Sequence, residues 1–275
     1  MSALDLAYWA PVLLGGLVAG ASCGTLGVYI AGMRLSFLGI CMAHAALAGA
    51  VAGSLAGWHG QELLLPALAG AMLVALLLGL ADPRRWQMDG NLVLGVLFSL
   101  TMGLAFLGMG LADRLGRAAA DSQALLWGSL AFCRWPECFL MLGAALLLWG
   151  FILLFGKEMG AILFSRTEAQ AAGIHATFVW CLFLLLAAVL LTVNFQTVGG
   201  LMIYSLITNP AVAAFQVGRG LRQCLLLAAG FGALSGGGGF LLAAWADLPV
   251  GAVIVLVSSV LVVVALLLNR HSRGH

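Results

Sequence analysis

Long apolar stretches, separated by short polar ones, are the dominant pattern of this chain. Nine of them have about the length that a helix needs to cross a bilayer, roughly 20 residues. They occupy residues 8–33, 36–58, 63–81, 92–112, 138–155, 177–194, 198–217, 224–245 and 250–268. The pattern therefore predicts an all-α bundle of about nine transmembrane helices, with eight to ten as the range.

A tenth apolar stretch, 124–133, is too short to span and predicts a re-entrant or interfacial segment. We find no long linker and no low-complexity tract, so we expect residues 1–275 to form a single transmembrane domain. Residues 1–10 contain Asp5 and no basic residue. A cleaved signal peptide has a positive N-terminal region, so we expect this N-terminus to be retained.

The composition makes lipid the main partner of the surface. Of 275 residues, 63% are hydrophobic and 8% are charged, whereas a soluble domain has about 25% charged residues. The formal net charge is +2, and no long basic run or acidic tail is present. These features argue against a nucleic-acid partner.

The distribution of basic residues predicts the orientation, because cytoplasmic loops are enriched in Lys and Arg. With a cytoplasmic C-terminus and alternating spans, nine basic residues face the cytoplasm and three face outside. The nine are Arg34, Arg84, Arg85, Lys157, Arg166, Arg219, Arg222, Arg270 and Arg273, and the three are Arg114, Arg117 and Arg134. We therefore expect an external N-terminus. The outer loops then hold Asp5, Glu62, Asp113, Asp121, Glu137 and Asp247.

The chain carries no nucleotide-binding P-loop. That loop needs a lysine after its glycines to reach the phosphates. The single lysine, Lys157, stands in Phe-Gly-Lys-Glu without such a loop. We expect the chain not to be an enzyme, so ATP-driven transport would require a separate ATPase subunit.

The predicted cytoplasmic loop after the fifth span contains the signals of a short helix. Ser165 and Glu168 have the spacing of a capping box, which satisfies free amides at a helix start. Gly173 stands where a left-handed C-terminal cap is expected. Such a short helix is marginal alone. It is either a capped surface linker or a coupling helix that transmits a partner's motion through its small residues Ala169 and Ala172.

His44 is the one Asp, Glu, Lys, Arg or His residue within the nine predicted spans. It lies ten residues after Arg34, or about 15 Å of helix rise, near the middle of the bilayer. Ionisable groups at that depth generally face a cavity or pathway, and imidazole is a common transition-metal ligand. Cys41, one turn earlier, is a second candidate ligand. The alternative is a neutral histidine that bonds to a neighbouring helix.

The later spans carry neutral polar residues that could line a path: Thr192, Asn194, Gln196, Tyr204, Ser205, Thr208 and Asn209. Asn209 precedes Pro210, which we expect to interrupt the helix and to free a carbonyl beside a cavity. We therefore place Asn209 and Tyr204 in a candidate path, with a simple kink as the alternative.

Five blocks in order resemble the permeases of metal-ion ATP-binding-cassette importers. Residues 27–49 are similar to the first block of that family, and Leu126-Trp-Gly-Ser-Leu130 to a second. The third block is Glu168-Ala-Gln-Ala-Ala-Gly-Ile174 and corresponds to the coupling segment. The fourth is Val198-Gly-Gly-Leu-Met202 with Asn209-Pro-Ala-Val-Ala213, and the fifth is Asp247-Leu-Pro-Val-Gly251.

The resemblance implies a homodimeric permease of the bacterial inner membrane, bound to two ATPase subunits and fed by an extracytoplasmic metal-binding protein. The cargo would be a divalent metal ion, zinc or manganese, with iron as a further candidate. No cofactor would be bound permanently. The family's intramembrane aspartate and histidine correspond here to Ile40 and His44, so the carboxylate is replaced.

Two other functions remain open at this point. The first is a secondary transporter or channel for a cation, without an ATPase. Such a protein usually needs coupling groups of its own, and the predicted spans contain no carboxylate. The second is a membrane-embedded enzyme, which would need a cluster of polar catalytic groups rather than one histidine.

Overall fold

The structure is a computed structural model that describes residues 3–80, 89–115, 130 and 133–273. The basic residues 84, 85 and 117, and most of the short segment 124–133, lie outside the described residues. The helices are α1 (Ala3–Gly32), α2 (Leu38–Leu55), α3 (Leu64–Leu80), α4 (Gly90–Arg114), α5 (Trp135–Phe164), α6 (Arg166–Ala171), α7 (Ala176–Val198), α8 (Gly200–Val217), α9 (Leu221–Ala233), α10 (Gly239–Ala246) and α11 (Val250–Arg273). A 3₁₀ turn (Gly60–Leu63) precedes α3, and a π segment (Leu234–Gly238) joins α9 to α10.

The predicted all-α membrane bundle is confirmed. Eight helical stretches of the described part are long and apolar enough to cross a membrane. One of them, Leu221–Ala246, comprises α9, the π segment and α10. A shorter apolar helix, Met202–Val217, falls within the remaining predicted span. The chain is thus a multi-pass membrane protein.

The described chain divides into two compact units that interleave along the sequence. Unit 1 comprises Met1–Gly32, Gly128–Leu146 and Thr197–His275, and unit 2 comprises Met33–Trp127 and Leu147–Gln196. In unit 1, α1 packs against α8 and α9, and α8 packs against α11. In unit 2, α2 packs against α3 and α4.

Glycines allow the closest helix approach in unit 1. A Cβ atom at Gly20 of α1 would overlap the carbonyl oxygen of Gly232 of α9, and a Cβ atom at Gly232 would overlap that of Gly20. Since helices in lipid associate through van der Waals packing rather than a hydrophobic drive, this contact stabilises the α1–α9 pair. Any larger residue at either position would force the two backbones apart.

Two details of the predicted spans are corrected. The fifth helix continues past residue 155 to Phe164, so it carries Lys157 and Glu158 in its last two turns. At about 1.5 Å per residue its 30 residues cover about 45 Å, more than the hydrocarbon core, so these charges fit near one end. Phe155 has non-helical dihedral angles (φ −114°, ψ 16°) and marks a kink there. The eighth helix is not interrupted, because α8 runs through Pro210.

Candidate permeation residues and candidate coupling helix

His44 lies on α2 with its two ring nitrogens in different situations. Its Nδ1 atom is 2.9 Å from the backbone oxygen of Ile40. A carbonyl oxygen can only accept, so Nδ1 carries the proton of this hydrogen bond and the neutral ring keeps its lone pair on Nε2. The ring also meets Phe98 of α4 edge-on, with centroids 4.9 Å apart. The half-buried imidazole is thereby oriented, and within the described part of the chain its Nε2 atom has no hydrogen-bond partner.

Cys41 does not share the exposure of His44. Its side chain is fully buried, whereas His44 is half-buried. Among the described residues, no group of three or more His, Cys, Asp or Glu side chains is positioned to hold a metal ion. Within that part of the chain, His44 is therefore a single oriented donor rather than a member of a closed metal centre.

Asn209 connects two helices of unit 1. Its Nδ2 atom donates to Ser258 Oγ at 2.9 Å and to Ser259 Oγ at 3.2 Å, both on α11. At the C-terminal end of α8, Asn269 Nδ2 donates to Gln216 Oε1 at 2.8 Å. The amide group of Asn209 is thus occupied by helix–helix bonding, while Tyr204, the other candidate path residue, is 37% exposed.

Sequence reasoning missed the α11 partners of this contact. Ser258 and Ser259 are adjacent hydroxyl residues inside an otherwise apolar helix, and each donates to the backbone oxygen of Val255 at 2.8 Å. Because both protons are used within α11, both oxygens can accept from Asn209. Two neighbouring serines in an apolar span were the available signal.

The predicted short helix of the loop is confirmed as α6. Ser165 Oγ accepts the backbone N–H of Glu168 at 3.3 Å, and Gly173 has a φ of +84°. In a full capping box the Glu168 side chain would accept the backbone N–H of Ser165. Here that N–H donates to Ala161 O at 3.0 Å instead. The preceding helix continues to Phe164, so that amide still belongs to the last turn of α5.

Ala169 of α6 and Ala172, the C-cap residue that follows α6, face different surroundings. Ala169 is 3% exposed and packs inward, whereas Ala172 is exposed. Arg166 Nη2 and Gln170 Nε2 both donate to Thr177 Oγ1, at 3.1 and 3.2 Å, which ties α6 to the start of α7. Of the two alanines predicted to form a small face, only Ala172 is thus exposed on the surface of the chain.

Two polar groups near the C-terminal end of α7 lack a partner in the described part of the chain. Thr192 and Asn194 are fully buried, and neither Thr192 Oγ1 nor Asn194 Oδ1 has a hydrogen-bond partner there. Asn194 Nδ2 donates to Leu190 O at 2.9 Å, which fixes the amide orientation. An unsatisfied buried oxygen costs about 1–3 kcal/mol, so these groups are a local weakness of α7.

Comparison with protein families decides the class of this transmembrane bundle. The ABC 3 transport family matches residues 5–269, nearly the whole chain. The chain belongs to the ABC 3 transport family. The resemblance inferred from the five sequence blocks is thereby confirmed.

Individual relatives of the ABC 3 chain align over almost all of its length. The zinc transport system membrane protein TroC of Treponema pallidum is 30% identical over 261 residues, covering 94% of this chain and 88% of TroC. The manganese transport system membrane protein MntC of Halalkalibacterium halodurans is 26% identical, covering 98% and 93%. The solved structure of PsaBC from Streptococcus pneumoniae in complex with Fab superposes with a TM-score of 0.79 at 20% identity, covering 94% and 90%. At that identity the structure supports the fold.

Proposed function

We propose that this chain is the membrane-spanning subunit of an ATP-binding-cassette importer for a divalent transition-metal ion, zinc or manganese, with iron as a further candidate. The observation that carries the proposal is the family match over residues 5–269. Relatives that align over nearly the full length are named for zinc and for manganese transport. The chelated iron transport system membrane protein YfeD of Yersinia pestis, 26% identical, keeps iron among the candidates.

The proposed assembly contains a second copy of the chain, a cytoplasmic ATPase subunit and an extracytoplasmic metal-binding protein, within membrane lipid. Lacking a P-loop lysine motif, the chain depends on the ATPase for energy. Nine of the twelve basic residues fall in the predicted loops on the side of the C-terminus. This excess supports a cytoplasmic C-terminus and an external N-terminus in a bacterial inner membrane. We also propose that the two compact units act together as one permease domain, residues 1–275.

Within this assembly, His44 contacts the ion in transit. A neutral imidazole supplies a ligand without placing a fixed charge in lipid, and the Nδ1 bond to Ile40 keeps Nε2 as the donor. With no carboxylate at Ile40, the contact is weak. Weak binding suits a carrier that must release its cargo. Because Cys41 is fully buried, we restrict this proposal to His44.

The helix α6 is the proposed contact with the ATPase. Its Ser165 cap and its two bonds to Thr177 hold it as a firm element against α7. An element held in this way can transmit a push, whereas a free six-residue helix would fray. The exposed Ala172 next to Gly173 gives a partner close access to the backbone.

Metal accumulation in cells tests this function. Cells that carry the chain with its ATPase and binding protein should accumulate zinc or manganese from limiting medium, measured by elemental mass spectrometry. Replacing the P-loop lysine of the ATPase should abolish that accumulation. Accumulation that persists without ATP hydrolysis would instead support the secondary transporter or channel.

A further inference from the structure

A small pocket lies in unit 1 beside the turn that joins α10 to α11. Its volume is about 220 Å³, and its lining includes Trp9 of α1, Phe240 of α10, and Asp247, Leu248 and Val250 at the turn. Under the proposed orientation this turn faces the outside of the cell.

One wall of the pocket is aromatic. The ring centroids of Trp9 and Phe240 lie 5.8 Å apart, with their planes inclined by 44°. Phe240 is 2% exposed and is therefore held rigidly, whereas Trp9 is half-buried. The face of a tryptophan is the aromatic surface that attracts an organic cation most strongly.

The rim of the pocket is negative and uncompensated. Asp247 follows the last residue of α10 in the left-handed conformation, with a φ of 53°. Its carboxylate forms no hydrogen bond or ion pair with any described residue. The C-terminal end of a helix carries partial negative charge, so α10 adds to the potential of Asp247. Among the described residues that line the pocket there is no Lys, Arg or His.

We propose that this pocket receives a basic side chain, lysine or arginine, of the extracytoplasmic metal-binding protein. The carboxylate and the Trp9 face would hold the cationic head, and Leu248 and Val250 would contact its aliphatic stem. The inference rests on the proposed function and on its orientation. It adds the chemistry by which the permease would hold its donor protein.

Two other cations fit the pocket less well. A phosphatidylethanolamine headgroup brings a phosphate along with its ammonium, and the lining offers that phosphate no positive partner. A hydrated metal ion needs several oxygen, nitrogen or sulfur ligands, and one carboxylate among aromatic and aliphatic walls supplies too few. A single basic side chain leaves no charge unpaired.

The test measures docking of the purified metal-loaded binding protein to the full transporter in nanodiscs of phosphatidylcholine and phosphatidylglycerol. Asp247→Asn removes the charge while keeping a residue that tolerates the left-handed conformation, so the turn should still fold. We expect docking to weaken about five- to tenfold and to lose part of its salt dependence. Glu62→Gln is the control, since Glu62 is an exposed acid predicted on the same side. It should leave docking unchanged.

Charge reversal identifies the partner residue. Asp247→Lys should nearly abolish docking, and one Lys→Glu or Arg→Glu change on the binding protein should restore it. If the binding protein docks normally to an Asp247→Asn transporter that still imports metal, this inference is overturned while the proposed function stands. An effect of Asp247→Asn seen only after phosphatidylethanolamine is added would assign the pocket to lipid and overturn it too. If the wild-type transporter neither docks the protein nor imports metal, the proposed function itself fails.

Discussion

The backbone oxygen of Ile40 holds the Nδ1 atom of His44 at 2.9 Å, one turn further along α2. This bond is possible only when Nδ1 is protonated, so it selects the neutral tautomer with its lone pair on Nε2. These are the two positions at which the family resemblance leads us to expect an aspartate and a histidine, and only the histidine is present. The backbone of Ile40 thus orients the imidazole of His44, although the side chain of Ile40 supplies no charge.

Removing the imidazole should therefore reduce metal uptake. We expect His44→Ala to lower uptake at limiting metal by about tenfold or more, since even changes around a metal ligand alter affinity 10- to 100-fold. The amount of protein in the membrane should not change. Radiometal uptake with immunoblotting measures both. Phe98→Leu is the control, because it removes the ring that contacts His44 while leaving Nε2 intact. Normal uptake by His44→Ala would make His44 a packing residue.

Restoring the carboxylate should strengthen the site. An ion that loses its water is stabilised more by an anionic ligand than by a neutral one. We expect Ile40→Asp to increase the metal retained by the detergent-purified protein, measured by elemental mass spectrometry. Ile40→Asn has nearly the same shape without the charge and should retain no more than wild type. If wild type, Ile40→Asp and Ile40→Asn retain equal amounts of metal, residue 40 does not contact the ion.

The contact of Asn209 with Ser258 and Ser259 should contribute to stability rather than to transport. Interhelical hydrogen bonds in membranes are worth about 0.6 kcal/mol on average, so Asn209→Leu should destabilise the protein by about 1 kcal/mol. A double-mutant cycle with the Ser258→Ala/Ser259→Ala variant, followed by thermal unfolding in detergent, should show coupling between the two helices. If Asn209→Leu abolishes transport without changing stability, Asn209 would instead be assigned to the permeation path.

A bulky residue at the exposed C-terminal cap of α6 should uncouple the transporter. Ala172→Trp places a large ring on the surface without a clash inside the chain, so the protein should insert normally. We expect ATP hydrolysis to continue while metal transport falls. The control is His59→Trp, at an exposed position predicted on the opposite side of the membrane, and this variant should transport normally.

Ala169→Leu should act differently from Ala172→Trp, since overpacking at a buried site costs about 1–3 kcal/mol and lowers stability. Full transport by Ala172→Trp would favour the surface-linker interpretation.

The orientation can be tested by labelling from outside intact cells. In a background without native cysteines, a cysteine at position 62 should react with a membrane-impermeant maleimide. A cysteine at position 219 should react only after the cells are opened. Both positions are exposed in the structure, so accessibility depends on the side of the membrane. The reverse labelling pattern would invert the proposed topology.

The sequence predicted those features that depend on local chemistry. Apolar stretches of sufficient length became helices, and the signals at Ser165 and Gly173 bounded α6 as expected. It did not predict which of Ala169 and Ala172 is buried, because the two residues are chemically identical and only packing distinguishes them. It also missed the partners of Asn209, which lie 49 and 50 residues away along the chain. The charges of Lys157 and Glu158 suggested an end to the fifth span, yet the helix continues past them.

The central claim is that this chain imports a metal ion only together with a separate ATPase. The most direct measurement is metal uptake into proteoliposomes that contain the permease, its ATPase and its metal-loaded binding protein, with and without ATP. Our account predicts zinc or manganese uptake that requires ATP hydrolysis and all three proteins. Uptake by the permease alone, driven by an ion gradient or by the metal gradient itself, would contradict it.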